Sequence, residues 1–470
     1  MTDELQLRSL LTLAAEPPEQ IQAPVPALLE RARRRRTRRT RAVVAGATAG
    51  AAAVVLLAAG LPPLVGSLGG SAPSATAPAG LFPPNPRSVP PGPAATAIGR
   101  YRWSALPSSP LGRRSSPLLT WTGSELIEIG GPGAPGTSPL AAAAYTPATG
   151  RWHTIAPLPS RLGATLWTRN APPPVTVWTG SELFLTNGSW GATPPPGVQG
   201  GHPLLGAPVL IYDPAANTWT HTNLPAQMYL ATPLTATWTG RDLVLAGTLS
   251  GRVHVAFYDP ATGRWTASDP ALPAGHPARY VTLLAAGDRL LLWSWWDRTH
   301  AFHQGASITS GTDVLALGPS GRWQVVTGSW PQHEAPVAPP SYTGSQILIS
   351  ASQIWCGLAC SPPGASIPGY FADPVTLRRT PIPAGPLGQT EPTYIWTGRA
   401  IIAFGGATIS GPNGLTMRPG ALALFDPVTS RWQRLPAVPG YPYPAGGAPL
   451  WTGTQLLYLT QNGSLQTFHG

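Results

Sequence analysis

WTGRDLVLAG at 238–247 and YDPATGRW at 258–265 decide the fold of this chain. In the second stretch Asp259 can accept from backbone N–H groups two residues on. Pro260 presets φ, and Gly263 tolerates positive φ, so the segment reads as a tight hairpin turn. Tyr258 and Trp265 then fall on the two strands that the turn joins. In the first stretch Trp238-Thr239-Gly240 reads as a strand end that turns on glycine into the apolar run Leu243–Ala246. Together the two stretches describe four short strands joined by two tight turns and one longer loop.

Both signals recur. Trp-Thr-Gly returns at Trp121, Trp178, Trp396 and Trp451, with the variant Tyr342-Thr343-Gly344 and a degenerate copy at Ala285-Ala286-Gly287. The seven glycines are spaced 57, 60, 47, 57, 54 and 55 residues apart. The turn element returns as YTPATGRW at 145–152, YDPAANTW at 212–219 and FDPVTSRW at 425–432, with weaker copies at 317–323 and 372–379. One four-stranded sheet cannot bury both its faces, whereas seven packed radially can, with Trp filling the spaces between them. The sequence therefore predicts an all-β, seven-bladed propeller of four-stranded blades, preceded by a single transmembrane helix. The last repeat is too short for four strands. GRYRWSALP at 99–107 resembles the fourth-strand element GRWHTIAPLP at 150–159, and is expected to complete it and close the ring.

On these residues the repeats resemble bacterial extracytoplasmic kelch repeats, related in fold to the central domain of galactose oxidase. The resemblance covers about residues 99–470. It departs at the glycine pair, which survives only as Gly130-Gly131 and Gly405-Gly406. Quinoprotein propellers place Trp eight positions after the turn Asp, but here Asp213 to Trp219, Asp259 to Trp265 and Asp426 to Trp432 are each six. The copper site of galactose-oxidase-like enzymes needs tyrosines, two histidines and a Tyr–Cys crosslink, and no set here matches it residue by residue. The resemblance thus implies no cofactor.

Composition agrees. The 470 residues include 53 Gly and 59 Pro, a density that excludes a helix bundle, while 43% hydrophobic content and 18 Trp exclude disorder throughout. Every one of the 30 basic residues is Arg. The net charge of +11 divides into +4 over residues 1–41 and a thin +7 beyond residue 61, which is not the stripe that nucleic acid requires.

Residues 42–61, AVVAGATAGAAAVVLLAAGL, are uncharged and long enough as a helix for one bilayer core. Eight Arg between Arg31 and Arg41 precede them, which orients the N-terminus inward. The expected order is a cytoplasmic basic leader (1–41), a transmembrane helix (42–61), a Pro/Ser/Ala-rich linker (62–98) and an outer propeller (99–470). Two other readings of 42–61 are a buried Ala-rich helix and a cleaved export signal, with Arg38-Arg39 and Ala75-Thr76-Ala77 as its marks. The leader offers a docking segment for a cytoplasmic partner at Leu5–Leu13, or is simply solvated. The localisation expected is the cell membrane, single-pass, with the propeller outside.

Alternating strand direction puts the tight turns on one face and the longer loops on the other. The long loops expected are 131–142, 187–207, 296–312, 352–368 and 406–419. Binding usually lives on such loops. WSWWDRTHAFH at 293–303 is the densest cluster, with Trp295, Trp296, Asp297, Arg298, His300 and His303 as candidate ligand contacts, and Trp190 and Tyr441 as secondary ones. Aromatic faces beside polar groups suit a glycan or a peptide. His300 and His303 with Asp297 would make a minimal metal set, and packing of the Trp residues between blades is the plainer alternative. No catalytic or metal set is assigned. Cys356 and Cys360, both on the outer side, are expected to form a disulfide. The function expected is a non-catalytic binding or sensing module for an extracytoplasmic glycan or protein, with a propeller enzyme, an oxidase or a sugar-acting one, as the alternative.

Overall fold

A computed structural model describes residues 101–469 apart from 161–173, 188–207, 229–230, 232–233, 303–304, 331–333, 337–338, 354–368, 388–391, 406, 410–414, 418–419, 440–448 and 461. It describes the backbone alone at 298–302, 305–310, 327–330, 334–336, 351–353, 407–409 and 415–417. Over these residues the chain is an all-β, seven-bladed propeller of four-stranded antiparallel blades.

Blade 1 comprises Leu118–Trp121, Leu126–Ile129, Ala142–Thr146 and Arg151–Ile155. Blade 2 comprises Val175–Trp178, Leu183–Thr186, Pro208–Asp213 and Thr218–Asn223. Blade 3 comprises Thr235–Trp238, Leu243–Leu249, Arg252–Asp259 and Arg264–Ala267. Blade 4 comprises Ala278–Ala286, Arg289–Phe302, Gly305–Leu317 and Trp323–Trp330. Blade 5 comprises Ser341–Tyr342, Ile347–Ile349, Tyr370–Ala372 and Arg379–Pro381. Blade 6 comprises Thr393–Trp396, Ile401–Phe404, Leu422–Asp426 and Arg431–Leu435. Blade 7 takes Leu450–Trp451, Leu456–Leu459 and Leu465–His469 from the end of the chain and Arg102–Leu106 from residue 102 onward. Arg102 pairs with His469 and Leu106 with Leu465, so the predicted closing strand is in place.

Each turn motif has a local cause. In six blades the Thr after the aromatic clasps the residue three positions on: that residue's amide donates to the Thr hydroxyl at 2.9–3.1 Å. The glycine between them sits at φ 91–101°. Blade 4 lacks the Thr, and there the turn tightens to Gly287-Asp288 between the paired residues Ala286 and Arg289. At the other turn, the Asp213, Asp259, Asp373 and Asp426 carboxylates each accept the amide two residues on, at 2.8–3.0 Å. The residue that turns left-handed is Gly150, Asn217, Gly263 and Gly321 in four blades, and Leu377 and Ser430 in two.

Apolar clusters fill all seven blade interfaces, including the one between blades 7 and 1, where Leu457, Leu459 and Leu465 meet Leu126 and Tyr145. Six fourth strands add a latch. Their Trp indole N–H donates backwards to the preceding blade: Trp103 to Pro436 O, Trp152 to Pro107 O, Trp219 to Ala156 O, Trp265 to Thr222 Oγ1, Trp323 to Ser268 O and Trp432 to Pro383 O. In blade 5 Arg379 stands at this place, and its guanidinium lies 5.0 Å from the centre of the Tyr370 ring. The turn motif thus serves two scales, since it closes a hairpin and delivers an indole to the preceding blade. Trp219→Phe keeps an aromatic ring but removes the donor and part of a buried indole, so a packing loss adds to that of the hydrogen bond. It should cost about 2 kcal/mol, read as a lower urea midpoint at unchanged steepness.

Two expected loops carry strands. Within 406–419 Ala407–Ile409 pairs with Leu415–Met417. Residues 296–302 and 305–312 form the arms of a hairpin, paired without interruption from Leu290–Leu317 to Phe302–Gly305. The apolar run before Asp297 and the Ile-Thr-Ser run before Asp313 suit a ladder, so the strands continue past the blade. The six pairs beyond Trp296 make an arm about 20 Å long on the loop side. Among the described residues no helix is long and apolar enough to cross a membrane, and 1–100, with the leader, 42–61 and the linker, lie outside those residues.

Candidate functional site

The first strand of blade 4 ends at the Gly287 turn, so its start, near Ala278, lies on the loop face. First strands of successive blades touch around the ring, which places this start at the inner edge of the blade. The strand does not begin regularly. Ala278 pairs with Trp296 and Tyr280 with Trp295, leaving Arg279 as the extra residue of a β-bulge. Bulges re-aim side chains. Here Arg279 Nε donates to Asp297 Oδ1 at 2.7 Å, and its carbonyl accepts from Thr248 Oγ1 of blade 3 at 3.0 Å.

Beside this pair, the Tyr280 ring stacks on Trp295, with centroids 4.8 Å apart and planes at 15°. Trp295 is buried, whereas Tyr280 is 52% exposed. The result is an aromatic surface on a rigid support, flanked by a cation and a carboxylate.

On the side facing blade 3 lies a second arrangement. His276, in the connection between blades 3 and 4, stacks on Trp296 at 3.9 Å and 18°. Its Nδ1 is 2.8 Å from Asp313 Oδ2. Asp313 is wholly buried, and burial pushes its pKa up, against the pull of His276. The Asp313 contact and the stack on Trp296 together fix the orientation of the imidazole. Ser294, paired across the ladder with Asp313, is equally buried. Ser294 Oγ, Asp313 Oδ1 and Trp296 Nε1 have no acceptor or donor among the described residues.

Gly311 makes this packing possible. A Cβ there would lie 2.7 Å from the Trp296 six-membered ring. Gly311→Ala must therefore displace the ring and separate it from His276. We expect a loss of about 1–3 kcal/mol and a changed near-ultraviolet circular dichroism band. An unchanged band would contradict the packing described.

The candidates read from the sequence are thus distributed. Trp295 and Trp296 are buried in a strand, facing blades 5 and 3 respectively, and Asp297 is paired with Arg279. Arg298 and His300 are placed by backbone only, in the arm of the hairpin. Trp190, His303, Tyr441, Cys356 and Cys360 lie outside the described residues. Sequence reading missed His276, Arg279, Tyr280 and Asp313. The signal available was that the repeat weakens most around blade 4, where residues are released from the pattern of the other blades. Among the described residues no three His, Cys, Asp or Glu converge as a metal set. A scan against protein-family models finds no matching family, and a search of curated proteins finds no match.

Proposed function

We propose that this chain is a membrane-anchored, extracytoplasmic, non-catalytic binding protein of the kelch type, holding a glycan at the loop end of blade 4. The observation that carries the reading is the exposed Tyr280 ring, backed by Trp295 and flanked by Arg279 and Asp297. A pyranose has an apolar face of C–H groups that suits such a ring, and hydroxyls that pair with a guanidinium and a carboxylate. The fold supplies the rigidity that such a surface needs. Anchoring by 42–61 rests on the uncharged span and the Arg run, and a disulfide between Cys356 and Cys360 on their place in the outer part. An enzyme on this scaffold would call for paired acids or a metal set, whereas Asp297 is engaged by Arg279.

The test is binding of the full-length protein to a panel of immobilised glycans and peptides, with Tyr280→Ala beside it. Glycan binding that falls about tenfold or more in the variant, at an unchanged melting temperature, supports the reading. Binding confined to peptides, or indifferent to Tyr280, contradicts it. Protease added to spheroplasts should digest the propeller and spare residues 1–41, and a protected propeller would overturn the topology.

A further inference from the structure

Arg279 and Asp297 meet beside the Tyr280 ring by different routes. Arg279 is the extra residue of the bulge, between the pairs Ala278–Trp296 and Tyr280–Trp295. Asp297 is the first residue of the arm, where the second strand of blade 4 has outrun the first. Asp297 and Trp295 are two residues apart on one strand, which sets them on the same face, about 7 Å apart. That is the face on which the Tyr280 ring covers Trp295. The exposed ring and the charge pair therefore stand side by side.

The bulge is held from three sides. The Arg279 carbonyl accepts from Thr248 Oγ1 at 3.0 Å, and the Ala278 amide donates to the Gly251 carbonyl at 2.9 Å, both in blade 3. Arg279 Nε donates to Asp297 Oδ1 at 2.7 Å. A ligand meeting these groups has little left to order.

The charge pair rests on a single bond. The two terminal nitrogens of Arg279 and Asp297 Oδ2 have no partner among the described residues. The Arg279 side chain is 56% exposed and that of Asp297 22%, so both are open to solvent. A hydroxyl both donates and accepts. Two hydroxyls on neighbouring ring carbons can thus take both groups, one accepting from the guanidinium and the other donating to Oδ2, with the pair intact. A ligand carboxylate fares differently. Arg279 attracts it and Asp297, a few ångströms away, repels it, so the two contributions oppose one another.

We propose that the Tyr280 site selects a neutral pyranoside over an acidic one, and that Asp297 is the residue that sets this preference. The sugar lays its C–H face on Tyr280 and turns two neighbouring hydroxyls to the Arg279–Asp297 pair. This rests on the glycan reading of Tyr280 and names the class of glycan.

The experiment is saturation-transfer NMR on the full chain at neutral pH, titrated with the methyl β-glycosides of glucose, galactose, mannose and glucuronic acid. At least one neutral glycoside should bind about fivefold or more tighter than the glucuronide. Asp297→Asn keeps an oxygen for the Arg279 Nε and removes the negative charge. In this variant the glucuronide should gain about fivefold or more and overtake the neutral sugars. Tyr280→Ala should lose them all. If the wild type takes the glucuronide as tightly as every neutral glycoside, or a folded Asp297→Asn keeps the wild-type order, selection by charge is overturned and the glycan reading stands. If no glycoside binds below about 100 mM, or binding is indifferent to Tyr280, both are overturned. Should Asp297→Asn not fold, the neutral-to-acid comparison on the wild type decides alone.

Discussion

Deleting residues 99–107 will unfold the whole propeller rather than fray one edge. Arg102–Leu106 pair residue for residue with Leu465–His469. Trp103 packs against Phe468 at 5.1 Å and bonds to Pro436 of blade 6. Tyr101 also stacks on Phe468, at 5.2 Å and 10°. The deletion removes two large aromatics, worth about 2–3 kcal/mol each when well buried, together with a ladder and a latch. The total is on the order of the entire stability of a domain. It also exposes the edge of the Leu465–His469 strand, a template for pairing with other chains. The deleted protein should be aggregated or melt far below the full chain in scanning calorimetry. A transition that coincides with the full chain's would show that the ring does not depend on its closing strand.

The second large effect is a dependence on pH. Glu128 lies in the second strand of blade 1, at an apolar position facing blade 7, and is wholly buried. One carboxyl oxygen accepts from Ser109 Oγ, and the other has no partner among the described residues. Arg114 is near, but its guanidinium donates to the carbonyls of Leu111, Gly131 and Ser138. Burial therefore wins over the Ser109 bond and the Arg114 charge, and raises Glu128 from 4.5 to about 7. The folded state holds a proton that the unfolded state releases. The stability linked to Glu128 is full below pH 4.5 and is lost as pH rises through about 7. The loss amounts to about 3 kcal/mol. Asp242, pushed up to about 6 by burial, and Asp313, also raised, act in the same direction. Glu128→Gln should thus remove part of the slope, leaving the variant more stable than the wild type at pH 8 and not at pH 4.5. Urea midpoints at the two pH values measure this. An equal loss of stability at both would contradict it.

Much of this molecule was legible because its turns are local. The Thr clasp, the turn glycine and the Asp-Pro cap are each set by four to six consecutive residues, and repetition gave them phase. The closing strand was legible for the same reason, since 99–107 carries a fourth-strand pattern without the three strands that should precede it. The blade 4 hairpin was not, because DRTHAFHQGASITSG has the composition of either a polar loop or an exposed ribbon, and pairing partners across a ladder leave no mark on spacing. The site residues were harder still. His276 and Asp313 are 37 residues apart in sequence and meet only when the connection folds over the blade. Tyr280 and Arg279 owe their exposure and direction to a bulge that no motif announces. Glu128 was visible in ELIEIGG as an acid at an apolar position, yet its cost depends on blade 7, which arrives from the far end of the chain.

Recognition at the loop end of blade 4 is read out by hydrogen–deuterium exchange on the full-length protein, with and without a saturating glycan from the binding panel. Exchange should slow in peptides spanning 276–282 and 293–297, with the tight turns at 121–126, 178–183 and 451–456 unaffected. Protection confined to those turns, or to blades distant from blade 4, would contradict it.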